Sequence, residues 1–83
     1  MTTKDYLVAI QDEAGREVCS ATATGVEKVS DITTNRDNDH VGIFNGVDEL
    51  LVEAPDPGGA LYLHRWPADD KLAKPVTHKL GDQ

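Results

Sequence analysis

Apolar residues in this chain recur mainly at the two-residue period of strands, in short stretches separated by glycine, proline, asparagine and aspartate. Tyr6-Leu7-Val8-Ala9-Ile10 is aromatic and β-branched, Asp12-Glu13-Ala14-Gly15 has turn chemistry, and Arg16 to Thr24 resumes strand character, so an N-terminal hairpin is expected. In its second strand Val18, Ser20, Thr22 and Thr24 share one face. Cys19, Ala21 and Ala23 share the other, where small side chains suit close packing and Cys19 reads as a buried small hydrophobe.

Beyond Gly25 the spacing of Val26, Val29 and Ile32 permits either a helical turn or an irregular strand. Thr33 to His40 has no large apolar residue and many side chains that bond their own backbone, which predicts an exposed loop. Val41-Gly42-Ile43-Phe44 then runs into Asn45-Gly46, the dipeptide best suited to a two-residue hairpin turn. Val47 to Ala54 reads as the return strand, with Leu50, Val52 and Ala54 inward and Glu49, Leu51 and Glu53 outward. The alternative is a short helix near 47–54, because Asp-Glu-Leu-Leu has good helix propensity.

Pro55-Asp56-Pro57-Gly58-Gly59 ends that element, and Leu61 to Trp66 forms another strand in which Leu61, Leu63 and Arg65 alternate with Tyr62, His64 and Trp66. Residues 71–83 read as an edge strand or a flexible tail. The sum is a single small domain over 1–83 that is mainly β: a small antiparallel sheet, sandwich or partly open barrel of five or six short strands. A helix at 47–54 would make it α+β.

Size sharpens this picture. An 83-residue chain of 9.0 kDa buries only roughly 63% of the surface its unfolded form exposes, and aromatics make up just 5% of it. The core must therefore be thin and aliphatic, or be completed by a partner or a second copy. A lone cysteine forms no internal disulfide and fits a reducing compartment. The N-terminal Met1 to Asp5 has neither the basic region nor the apolar stretch of a signal peptide, so a cytoplasmic location is expected.

Charge excludes some function classes and suggests another. Eight Lys and Arg against fifteen Asp and Glu give a net charge of −7 with no basic stripe, which disfavours direct binding to nucleic acid or an anionic membrane. The acids concentrate in the middle: Asp37, Asp39, Asp48, Glu49, Glu53 and Asp56 lie between Asp37 and His64 with no Lys or Arg among them. Such a stretch is either a solvated face or a docking surface for a basic protein, with mimicry of a nucleic-acid backbone as a special case. Reversing the charge of Glu49, Glu53 and Asp56 is expected to weaken such docking strongly. Trp66, beside His64 and Arg65, is a candidate anchor for a binding patch, set against the alternative that the chain's one tryptophan packs in the core.

Catalytic and cofactor chemistry find no motif. Nucleophile-elbow, zinc-protease and phosphate-cradling patterns are missing, so neither an enzyme nor a cofactor is expected. Asp37, Asp39, Gly42 and Asn45 imitate a calcium-loop spacing closing at Asp48, but Val41 replaces an oxygen donor. His40, His64 and His78 lack ligand spacing, and no metal site is expected. The reading is a small acidic protein-binding module, acting as an inhibitor or accessory subunit of a basic, nucleic-acid-binding type of protein. Its alternatives are a homodimeric or larger structural assembly, and, behind that, a metal-dependent sensor.

Overall fold

The computed structural model describes residues 2–70 and 72–80. Seven strands stand among them: β1 (Lys4–Asp12), β2 (Glu17–Val26), β3 (Ile32–Asp37), β4 (His40–Asn45), β5 (Glu49–Pro55), β6 (Leu61–Pro67) and β7 (Val76–Lys79). They form two antiparallel sheets, a four-stranded one in the order β2-β1-β6-β7 and a three-stranded one in the order β3-β4-β5. The chain begins with a hairpin, crosses to build the three-stranded meander, then returns so that β6 pairs with β1. The expected mainly β fold is what forms, with seven strands instead of five or six.

The first hairpin turns because the Asp12 carboxylate accepts from the backbone N–H groups of Ala14 (3.0 Å) and Arg16 (2.9 Å), while Gly15 takes a φ of 82°. The Arg16 N–H bond holds the Asp12 carboxyl below its ordinary range. Beyond β2, the undecided segment divides: Val26 ends the strand and Val29–Asp31 is one 3-10 turn.

Three local expectations are corrected. Thr33 to His40 is not a loop, since β3 occupies most of it; Ile32, Thr34 and Arg36 face inward while Thr33, Asn35 and Asp37 face solvent, and backbone pairing to β4 overrides the low β propensity. The two-residue turn falls at Asn38-Asp39, with Asn38 at a φ of 44°. Asn45-Gly46 is not a two-residue turn: Asn45 pairs with Glu49 across three residues, 46–48, and of that dipeptide only Gly46 has positive φ. Finally, a bulge shifts the β4–β5 register between Ile43↔Val52 and Phe44↔Leu50. Leu51 therefore packs against the core and Leu50 stands 46% exposed, the reverse of a regular alternation. The strand reading of 49–55 holds, because this segment completes the β4 ladder and lays Leu51, Val52 and Ala54 on the core.

Both sheets contribute to one core: Val8, Ile10, Cys19, Ala23, Val26, Leu61 and Leu63 from the four-stranded sheet, Ile32, Val41 and Ile43 from the other, and Leu80 after β7. Cys19 is buried there, and that burial pushes its thiol pKa up, with Glu17 adding to the shift. None of the four aromatic residues belongs to the buried core. The accessible surface, 5322 Å², exceeds the roughly 4,900 Å² expected of a compact chain of this mass. A thin aliphatic core follows. No described helix is long and apolar enough to cross a membrane.

Stability should therefore rest on a few aliphatic side chains. Ile43→Ala, at a fully buried position, is expected to cost about 2–5 kcal/mol in urea unfolding, while Leu50→Ala on the outer face should cost less than about 1 kcal/mol.

Candidate functional site

The outward face of the three-stranded sheet is organised in cross-strand rows. Thr33, Phe44 and Leu50 form one, Asn35, Gly42 and Glu53 the next, and Asp37, His40 and Pro55 the last. Gly42 stands at the centre, in a hollow of about 400 Å³ lined also by Asn35, Asp37, Asn38, Asp39, His40, Phe44 and Glu53. A Cβ there would meet Leu50 Cδ1 and the Val52 carbonyl oxygen, each at 3.3 Å, so a larger residue would fit only if those neighbours shifted by a few tenths of an ångström.

Three of the six central acids, Asp37, Asp39 and Glu53, meet around this hollow, and neither Lys nor Arg lines it. Phe44 supplies an apolar wall on the opposite side from Asp37. A lysine or arginine side chain suits such a place: its methylene stem lies on the aromatic wall and its charged head meets carboxylates.

The other three acids are elsewhere. Asp48 and Glu49 sit at the far end of β4, at the β4–β5 turn, roughly 10 Å from Gly42 along the strand. Asp56 is consumed internally. Arg36 Nε donates to its Oδ2 at 2.6 Å and Nη2 to its Oδ1 at 3.1 Å, and Nη2 also donates to the Gly59 carbonyl at 3.0 Å. Both side chains are about nine-tenths buried, at 10% and 8% exposure. Sequence reading missed this because Arg36 lies one position before the cation-free interval and folds back over it. The only signal available was a single arginine on a strand period with Ile32 and Thr34.

Trp66 is on neither face of this sheet. It lies half-buried on the outer face of the four-stranded sheet, stacked on His64 with ring centroids 5.8 Å apart and planes 20° from parallel. Its rows run Trp66, Leu7, Thr22 and His64, Ala9, Ser20, and Thr77 Oγ1 hydrogen-bonds His64 Nδ1 at 3.1 Å. The core alternative for Trp66 is thereby set aside, for β6 turns Leu61, Leu63 and Arg65 inward instead.

The calcium-loop spacing does not survive folding, because residues 37–48 are two hairpin turns joined by β4, with Gly42 in mid-strand. Among the described residues no group of three or more His, Cys, Asp or Glu side chains is placed to hold a metal ion. No family model matches the chain, and neither does any curated protein or solved structure.

The Arg36–Asp56 pair has a pH signature. The Arg36 guanidinium, and after it the Gly58 N–H at 2.8 Å, hold the Asp56 carboxyl below the ordinary 3.8. A depressed folded-state value means the ionised group stabilises the fold fully above the ordinary value, and that contribution is lost as pH falls through the folded value. Asp56→Asn should cost about 3 kcal/mol at pH 7, and the gap from the unmodified protein should shrink as pH is lowered below 3.8. Urea midpoints across that range would read it; a gap independent of pH would count against the pair.

Proposed function

We propose that this chain is a small binding module that acts by occupying a surface of a basic protein partner, as an inhibitor or accessory subunit does. One observation carries the reading: Asp37, Asp39 and Glu53 converge on a glycine-floored hollow that no Lys or Arg lines, with Phe44 beside them. Asp37 and Glu53 stand on paired strands and Asp39 in the turn after β3, so their backbones are held and docking a cationic side chain orders only side chains. The division of the six acids between two ends of the sheet and an internal ion pair favours one compact docking point over a long row imitating a nucleic-acid backbone.

The same geometry selects the variants. Reversing Asp56 would break the Arg36 pair and confuse misfolding with lost binding. Asp37→Lys with Glu53→Lys alters the hollow, and Glu27→Lys with Asp69→Lys, at exposed positions outside it, makes the same change in net charge. A basic protein retained from a host lysate at low salt should bind the first variant at least about tenfold more weakly and the second nearly as well as the unmodified chain. Equal loss in both variants would reduce the effect to bulk charge and overturn the assignment of the hollow.

Self-association is the second reading, favoured by the groove of about 480 Å³ on the four-stranded sheet, where Leu7 and Trp66 lie partly exposed beside Ser20 and Thr22. A closed dimer in sedimentation equilibrium that dissociates on Trp66→Ala would support it. A monomer at micromolar concentration would remove it.

A further inference from the structure

The inward-facing row of β6 ends on a cation. Arg65 follows Leu61 and Leu63 on the core side and is 92% buried, at 8% exposure. Its Nη1 donates to the Val29 carbonyl at 3.1 Å and its Nη2 to His78 Nε2. Since guanidinium only donates, that imidazole nitrogen accepts, and the ring carries its proton on Nδ1. The Arg65 Nε is itself closed to solvent and has no hydrogen-bond partner among the described residues. Two ion pairs occur among the described residues, Arg16 with Asp12 and Arg36 with Asp56, and neither involves Arg65.

A buried guanidinium cannot shed its proton and is costly without an anion beside it. Arg65 lines a cleft of about 520 Å³ between the 3-10 turn, the edge strand β3 and the β6–β7 hairpin, a volume within the range of small-molecule sites. Val29, Ile32, Leu63 and Leu80 give the cleft apolar walls, and Lys79 adds a second cation to its lining.

We propose that this cleft binds a monocarboxylate with an apolar body, its carboxylate on Arg65 and its hydrocarbon among Ile32, Leu63 and Leu80. The carboxylate supplies the anion that Arg65, a residue lining the cleft, lacks among the described residues, and His78 fixes the plane of the guanidinium. A phosphate group is the poorer match. Its higher charge is opposed by a net −7, and apolar walls offer it few donors. The site is separate from the acidic hollow, which opens on the outer face of the other sheet.

The test titrates hexanoate, hexanamide and inorganic phosphate, at matched ionic strength, into the isotope-labelled full chain followed by NMR. Hexanoate should move the Arg65 Nε–H signal and the methyl signals of Ile32, Leu63 and Leu80, and bind at least about tenfold tighter than hexanamide. Arg65→Met, a substitution that keeps the volume and removes the charge, should abolish that preference. Hexanoate and hexanamide binding alike, phosphate shifting Arg65 at lower concentration than hexanoate, or no shift with hexanoate would each overturn the proposal. The acid–amide comparison is made on the unmodified chain, so it decides the matter even if Arg65→Met does not fold.

Discussion

The return of the chain from the three-stranded sheet to the four-stranded one depends on the bidentate pair between Arg36 and Asp56. β6 must arrive beside β1 and not continue the β3-β4-β5 meander, and residues 56–60 make that crossing. Arg36 holds both ends of the crossing, Asp56 through its carboxylate and Gly59 through its carbonyl, while the Asp56 N–H donates to Asp39 at 2.7 Å. The Asn38-Asp39 turn, the crossing and the strand that carries Arg36 are thus tied at one corner. That corner adjoins the acidic hollow, and through the Asp56 N–H bond to the Asp39 carbonyl it anchors the backbone of the turn that carries Asp39.

A thin core constrains everything else. With Ile10, Ile43, Leu61, Val8 and Val41 as its largest fully buried side chains, the two layers meet over aliphatic residues only. Small alanines on β2 permit that closeness, and the aromatic residues, too large for it, are left on outer faces or at the margin. Phe44 then becomes a wall of the hollow and Trp66 the centre of the opposite surface. The shortage of core volume in a chain this small is the physical reason its aromatic side chains stay at the surface.

Electrostatics divide between the surface and the interior. Most of the negative charge is solvated, and one ion pair is buried and hydrogen-bonded on several sides, as a buried pair must be. Arg65 is the exception, because its partners are a carbonyl and an imidazole. It lies where the second sheet ends at β3, so the β6–β7 edge is not covered by another strand and a cleft takes its place. A buried cation with no carboxylate partner among the described residues and the margin of the apolar core therefore share one location.

Much of the fold was written in local pattern. The strands β1, β2, β4 and β6, the faces of Cys19, Ala21 and Ala23, and the common side of Leu61, Leu63 and Arg65 follow from two-residue alternation, which local sterics and burial enforce wherever one face meets a core. The acidic character of the middle third was equally legible, since charge is additive along a chain. What only the tertiary structure decided were matters of pairing between distant residues. β3 became a strand because β4 offered a hydrogen-bonding edge, against the propensity of Thr33 to Asp37. A bulge, invisible to periodicity, exchanged the roles of Leu50 and Leu51. Asp56 met Arg36 across twenty positions, removing one of the six acids from the surface, while Arg65 met no carboxylate among the described residues. Local sequence sets which face a side chain takes, but its partner is set by where the chain crosses between sheets, and that is a property of the whole fold.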